Sequence, residues 1–385
     1  MTSEFLKNVF DSYKENHLKN RYIQNEHIQP LLDKIKSDLE VKKIGTSVLG
    51  KPIHIIKIGT GSKKILMWSQ MHGNESTTTK AIFDICNVFA YHSNGVIGQI
   101  LKNCTVQIIP ILNPDGAERY TRQNANDIDL NRDAKNLSQP ESKILRNVFD
   151  DFKPDFCFNL HGQRTIFGVG NTGNSAVLSF LSPAQDVACT VTRTRKKAME
   201  IISVMNTLLQ AQIPNQIGLY DDAYNENCVG DTFQALNCPT ILFEAGHYEN
   251  DYSREITRFY MFEAIMSSLD YISKSEVLGD CYESYLSIPE NDKNFLDIII
   301  RQASVNLNGK KTIDIGIQYA ETLVGGDVKF IPTVEKIGDL NHLNGHRNII
   351  AKNKEFSLLD LSALSEGMVV ESIFLNTIEY SLKLT

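Results

Sequence analysis

Four short stretches of this chain carry side chains that do chemistry when brought together. Met71-His72-Gly73-Asn74-Glu75 sets an imidazole and a carboxylate three residues apart, directly after the apolar run Ile65-Leu66-Met67-Trp68. Both are good Zn²⁺ ligands at roughly 2.0–2.2 Å, and a catalytic zinc usually takes three protein ligands and keeps one position open. Phe158-Asn159-Leu160-His161-Gly162 offers a third ligand, because His161 ends an apolar strand; with His72 and Glu75 it completes a His₂Glu set. Ile241-Leu242-Phe243-Glu244-Ala245-Gly246 puts a carboxylate at the tip of another hydrophobic strand, where burial is expensive without a task. One such task is that of general base: zinc lowers the pKa of a bound water towards ~7, and a nearby carboxylate takes its proton. In the fourth stretch, Arg119–Asp133, the pair Asn131-Arg132 offers a planar guanidinium fork for a carboxylate, and Arg122 could face a developing oxyanion.

Singly, each stretch has a plainer account. A His-x-x-Glu pair recurs by chance in polar loops, a strand-terminal His can be structural, a Glu can cap a helix, and arginines can coat a solvated face. Their shared position argues for more, since all four follow expected strands at the C-terminal edge, where open α/β sheets place their sites.

The elements that must hold them read as follows. Residues 4–41 carry helical periodicity, and extended runs at 41–47 and 52–58 flank the turn Leu49-Gly50-Lys51-Pro52. Ile65–Trp68, Cys104–Leu112, Phe156–Leu160 and Thr240–Phe243 read as buried strands. They alternate with helices after Ser76, a residue suited to capping, and at 141–152, 194–212 and 254–272. This is an α/β pattern. From about residue 275 the segments become short and β-like, separated by Gly and Asn. The expected division is therefore a 1–274 catalytic domain and a small strand-rich C-terminal module at 275–385.

With these residues in view, the order HxxE, Asn113-Pro114-Asp115-Gly116, the Arg122 to Arg132 segment, a strand-terminal His and a late Phe-Glu resembles the zinc carboxypeptidase family, the carboxypeptidase A-like metallopeptidases. The entry turn around Ile44–Ile53 is similar too, and the resemblance runs over roughly 40–272. It implies a mixed, mostly parallel eight-stranded sheet with helices on both faces. It implies Zn²⁺ on His72, Glu75 and His161, and Glu244 as general base and then acid for hydrolysis by a zinc-bound water. Arg122 would polarise the scissile carbonyl, and Asn131 with Arg132 would clamp a terminal carboxylate, so that the substrates are short peptides with a free C-terminus. Departures from the pattern are Gly162 after the third ligand and Asp133 after the Asn-Arg pair. The family's mobile phenol has two candidates, Tyr220 and Tyr224, and Asp231 falls near the side-chain pocket, where it would favour a basic or amino-bearing substrate. The alternative is an N-acyl amino acid deacylase of the aspartoacylase and succinylglutamate desuccinylase type, which shares the zinc set and the Asn-Arg grip. A third reading is a zinc-binding scaffold without catalysis.

Bulk properties narrow the setting. A chain of 385 residues with 42% apolar and 22% charged residues and net charge −7 has the profile of an ordinary globular protein without a basic footprint for nucleic acid. No apolar run approaches the ~20 residues that cross a bilayer. The polar N-terminus and the seven scattered cysteines suggest a cytoplasmic protein with reduced thiols and no membrane partner. His342 and His346 lie four apart but lack a third ligand nearby, and they read as loop residues.

Overall fold

Strands whose residues are apolar on both faces must be covered on both sides, and the first two-thirds of the chain meets that demand with a central sheet between helices. The computed structural model describes residues 1–306, 309–358 and 364–384. It divides into two compact units: Met1–Gln163 with Ala176–Asn291, and Arg164–Ser175 with the residues from Asp292 onward.

The sheet of the first unit has eight strands: β1 (Glu40–Thr46), β2 (Pro52–Ile58), β3 (Lys63–Ser69), β4 (Cys104–Ile109), β5 (Phe156–Gly162), β6 (Leu178–Leu181), β7 (Ile217–Leu219) and β8 (Thr240–Ala245). Their order is β1-β2-β4-β3-β5-β8-β6-β7. The inner pairs β4–β3, β3–β5 and β5–β8 are parallel, as is β6–β7, while β1–β2, β2–β4 and β8–β6 are antiparallel. This is the mixed, mostly parallel eight-stranded arrangement expected.

Nine helices accompany the sheet among the described residues of this unit: α1 (Ser3–Tyr13), α2 (Asn25–Ile35), α3 (Thr77–Tyr91), α4 (Gly95–Asn103), α5 (Pro114–Arg119), α6 (Pro140–Phe152), α7 (Arg193–Gln210), α8 (Val229–Ala235) and α9 (Glu255–Lys274). Two apolar clusters mark its two layers. One joins α1, α2, α3, α7 and α9 to side chains such as Ile65, Met67, Phe158 and Phe243. The other joins α6 and α8 to Leu66, Trp68 and Cys157. Residues 65–68 thus point alternately into opposite layers, as the period of a strand requires. Helix α3 begins one residue after Ser76, as anticipated. The Ser76 hydroxyl does not cap it; it is buried and donates instead to the Arg21 carbonyl at 2.5 Å.

Val277, Tyr285 and Ile288 are buried in the first of these clusters, so the first unit continues through Asn291 rather than stopping at 274. The second unit also draws in residues 164–175 from the middle of the chain. It is rich in strands: β9 (Phe295–Asn306), β10 (Lys310–Val324), β11 (Asp327–Gly338) and β12 (Asn344–Ile350) form a sheet of order β11-β10-β9-β12. A smaller sheet is formed by β13 (Phe356–Ser357), β14 (Ser372–Leu375) and β15 (Ile378–Ser381). Among the described residues no helix is long and apolar enough to cross a membrane. All seven cysteines are free.

Candidate functional site

The loop that carries His72 and Glu75 is fixed by its neighbours rather than by its own length. At the end of β3, Gln70 turns into the left-handed region (φ 43°), and its buried side chain donates to the carbonyls of Ile23 (2.9 Å) and Gly73 (2.8 Å). The Asn-Pro-Asp-Gly stretch braces the other side. Asn113 accepts from the Gly116 amide at 2.9 Å and donates to the Met71 carbonyl at 3.2 Å. Asp115 accepts from the Ser47 hydroxyl (2.8 Å) and the Leu49 amide (3.0 Å), which ties in the β1–β2 turn. A Cβ on Gly73 would stand 2.0 Å from the Gly116 backbone, so only glycine permits this approach.

The bracket presents three donor groups to one point. His72 Nδ1 lies 2.8 Å from Glu75 Oε1, His161 Nδ1 lies 2.9 Å from Glu75 Oε2, and the two Nδ1 atoms are 3.1 Å apart. Ligands on a tetrahedral ion at ~2.1 Å would be separated by roughly 3.4 Å, so the spacing fits a single small cation after a slight expansion. The other face of His72 is committed: Nε2 meets Asp129 Oδ1 at 3.0 Å, which points Nδ1 inward. Burial opposes a charge on Glu75, yet His72 and His161 hold its carboxyl well below the usual range. Such a group of two imidazoles and a carboxylate could hold a metal ion.

Glu244 reaches the same place from the adjacent strand. In the β5–β8 pairing His161 sits opposite Glu244, so both side chains stand at the C-terminal edge of neighbouring parallel strands. Glu244 is buried and its Oε2 has no hydrogen-bond partner among the described residues. Burial, followed by the proximity of Glu75, pushes its carboxyl well above the ordinary value, with Arg122 and Arg254 partly offsetting this. Arg122 is half-exposed; its Nε pairs with Asp129 Oδ2 at 3.0 Å and its NH1 stands 3.5 Å from Glu75 Oε1. Of the two candidate phenols, Tyr220 feels Glu244 and Glu75: burial first, then these two charges, raise its hydroxyl far above its ordinary value.

The remaining expected residues lie around this centre in different capacities. Asn131 accepts from the Val229 amide at 3.1 Å, and Arg132, exposed, donates to the Asn131 carbonyl (2.8 Å) and to Cys228 Sγ (2.9 Å). Asp133 is buried and receives the amides of Ser138 and Gln139, a loop-closing role. Asp231 accepts from the Asn225 amide at 2.9 Å, and burial lifts its carboxyl to about 6. Gly162 donates its amide to Glu75 Oε2 at 3.0 Å, and a Cβ there would make only ordinary contacts. His247 is buried and packs against Tyr252, the rings tilted at 55° with centroids 4.6 Å apart. Two residues that pattern reasoning did not single out now stand close to the centre. Asp129 is held low, despite burial, by His72 and Arg122. Arg254, buried just before α9, donates to the carbonyl of Ala245 at the end of β8 and to that of Gln163 just beyond β5.

Comparison with known proteins shows what the chain is similar to. Residues 25–176 match the model of the zinc carboxypeptidase family. Carboxypeptidase SOL1 of Arabidopsis thaliana is 31% identical over 137 residues, 31% of this chain and 28% of that protein. Gamma-D-glutamyl-L-diamino acid endopeptidase 1 of Lysinibacillus sphaericus is 36% identical over 85 residues, 20% of this chain and 22% of that one. The matched stretch thus spans less than a third of either relative. Among solved structures, carboxypeptidase A of Helicoverpa armigera superposes with a TM-score of 0.54 at 16% identity, covering 71% of this chain and 80% of that one. A metallo-carboxypeptidase of Burkholderia cenocepacia gives 0.51 at 18% identity, covering 64% and 69%. At such identities these structures establish the likeness of fold alone.

Proposed function

We propose, on the match of residues 25–176 to the zinc carboxypeptidase family model, that the chain is a zinc-dependent metallocarboxypeptidase that removes the C-terminal residue of short peptides. The observation that carries this reading is the meeting of His72, Glu75 and His161 donor atoms beside the buried Glu244. In this reading His72, Glu75 and His161 hold Zn²⁺. The ion, when bound, supplies the Lewis acidity that activates water and polarises a carbonyl.

The chain's own groups do the rest. Glu244 accepts a proton from the attacking water and delivers it to the departing amine; its buried setting and raised proton affinity suit both halves of that transfer. Arg122, anchored by Asp129, keeps a fixed positive charge at the rim, where negative charge develops on the carbonyl oxygen. Asp129 orients both Arg122 and His72. Asn131 and Arg132 receive the peptide's terminal carboxylate, and a guanidinium fork on the exposed rim suits that task. Tyr220, whose hydroxyl feels the charges of Glu244 and Glu75, is the phenol assigned to the leaving-group side.

The test is a product readout by mass spectrometry, with zinc-loaded and chelator-treated protein offered a pool of short peptides and N-acyl amino acids. Peptides shortened by one C-terminal residue only with zinc support the proposal. Loss of acyl groups with peptides intact would transfer the chain to the deacylase reading.

A further inference from the structure

The strands β5 and β8 part immediately beyond the site. Their last register pair is Gly162 with Ala245, one step after His161 and Glu244. From there β8's continuation turns to the other side, with Gly246 donating to the Val177 carbonyl (2.8 Å) and His247 to that of Ala176 (3.1 Å). Just past the end of β5, the Gln163 amide still reaches the Ala245 carbonyl at 2.9 Å. At this fork lies the Arg254 guanidinium, only 1% exposed, with NH1 donating to the Ala245 carbonyl at 2.9 Å and NH2 to the Gln163 carbonyl at 3.1 Å.

Two features separate this side chain from ordinary helix capping. The start of α9 is already capped by Asp251, whose carboxylate takes the amides of Glu255, Ile256 and Thr257 at 2.8–2.9 Å. Arg254 itself is held in the left-handed region at φ 59°, a conformation that non-glycine residues rarely adopt. A strained backbone and a desolvated guanidinium persist where the surroundings over-determine them, and here the fixed result is the separation of two strand ends.

We propose that Arg254 is a positioning residue that sets the distance between His161 and Glu244 by bridging the carbonyls where their strands diverge. The inference rests on the proposed reaction for its kinetic consequence, but not for its structural one. A bidentate fork spans two carbonyls, whereas the single ammonium of lysine satisfies one at a time. Displacements near 1 Å at a reacting centre cost on the order of 10²-fold in rate.

The experiment compares R254M and R254K with wild type in two readouts, peptide turnover of the zinc form and the visible d–d spectrum of the Co²⁺-substituted form. For R254M the expected result is a kcat about 10²-fold lower, a KM within about threefold and shifted cobalt bands; for R254K, a kcat roughly tenfold lower. Folded R254M with kcat within threefold of wild type and an unchanged cobalt spectrum would overturn the proposal. If R254M does not fold, R254K decides, and wild-type values in both readouts overturn it equally. Should the wild-type protein cleave no peptide, the proposed reaction fails while the cobalt spectra still judge Arg254.

Discussion

Helix α3 separates two buried clusters of charge that handle the same physics differently. On the side facing α9, Arg258 uses its whole guanidinium: Nε and NH2 donate to Asp84 (2.7 and 2.6 Å), NH1 to Leu18 and Glu255, and NH2 also to the Glu15 carbonyl. Lys80 donates to Glu255 at 2.6 Å and to the Ser253 carbonyl at 2.9 Å. At the N-terminal end of the helix, the His72, Glu75, His161 and Glu244 group leaves Glu244 Oε2 and His161 Nε2 without partners among the described residues. Its cation, Arg122, is 43% exposed against 0% for Arg258. One cluster is internally complete and serves the fold. The other is incomplete as a set of protein groups, and incompleteness is what a site needs if it is to take an ion and a substrate.

That contrast can be broken from either side. The largest effect is expected from Glu244→Gln. In the zinc-loaded protein it should lower turnover by roughly 10²–10⁴-fold, equivalent to about 3–5 kcal/mol of barrier, while thermal stability holds or rises, since a buried carboxylate with one oxygen lacking a partner among the described residues is replaced by a neutral amide. Turnover within tenfold of wild type would remove Glu244 from the reaction. Asp84→Asn should do the opposite. Leaving Arg258 buried without its counter-ion should cost about 3–5 kcal/mol in chemical denaturation, with kcat per folded molecule unchanged. A large loss of kcat at full folding would show that the two clusters are not separable.

A smaller effect sharpens the comparison through pH. Burial opposes a charge on Glu255, but Lys80 and the neighbouring cations depress its carboxyl from 4.5 to about 2. A depressed carboxyl contributes stability that is complete above its unfolded value and is lost as pH falls from about 4.5 towards 2. Glu255→Gln should therefore lower unfolding free energy by about 2 kcal/mol at pH 7, and the gap to wild type should close on acidification across that window. A gap that stays constant down to pH 2 would assign the loss to packing rather than charge.

The sequence makes some of this legible and hides the rest for definable reasons. Long apolar strands and helices such as α6, α7 and α9 announce themselves by periodicity and fall within a few residues of expectation. Strands β6 and β7, of four and three residues, are too short to carry a period and enter the sheet only through their neighbours. His72, Glu75, His161 and Glu244 were visible because strand-end positions and residue types coincide, and the structure brings them together. Asp129 was less so: Asp127, Asp129 and Asp133 look alike in sequence, and only the fold decides which one faces His72. Arg254 was hidden altogether, because its partners are backbone carbonyls, which every residue has. The end of the first unit at Asn291 was masked by the loop-like composition of 275–291, although Tyr285 and Ile288 are core residues.

The excursion of residues 164–175 into the second unit bears on how the chain is made. A ribosome releases this segment long before its companions from residue 292 onward, with the 116 residues of Ala176–Asn291 intervening. At typical synthesis rates that is a wait of roughly 6–25 s. During this interval β5, which carries His161, is already made, while the segment just after it has nothing of its own unit to fold against. Until then the segment lacks the companions it packs with in the finished unit. The same division means that truncation at residue 291 would orphan the 164–175 segment, so the second unit cannot be detached by a single cut.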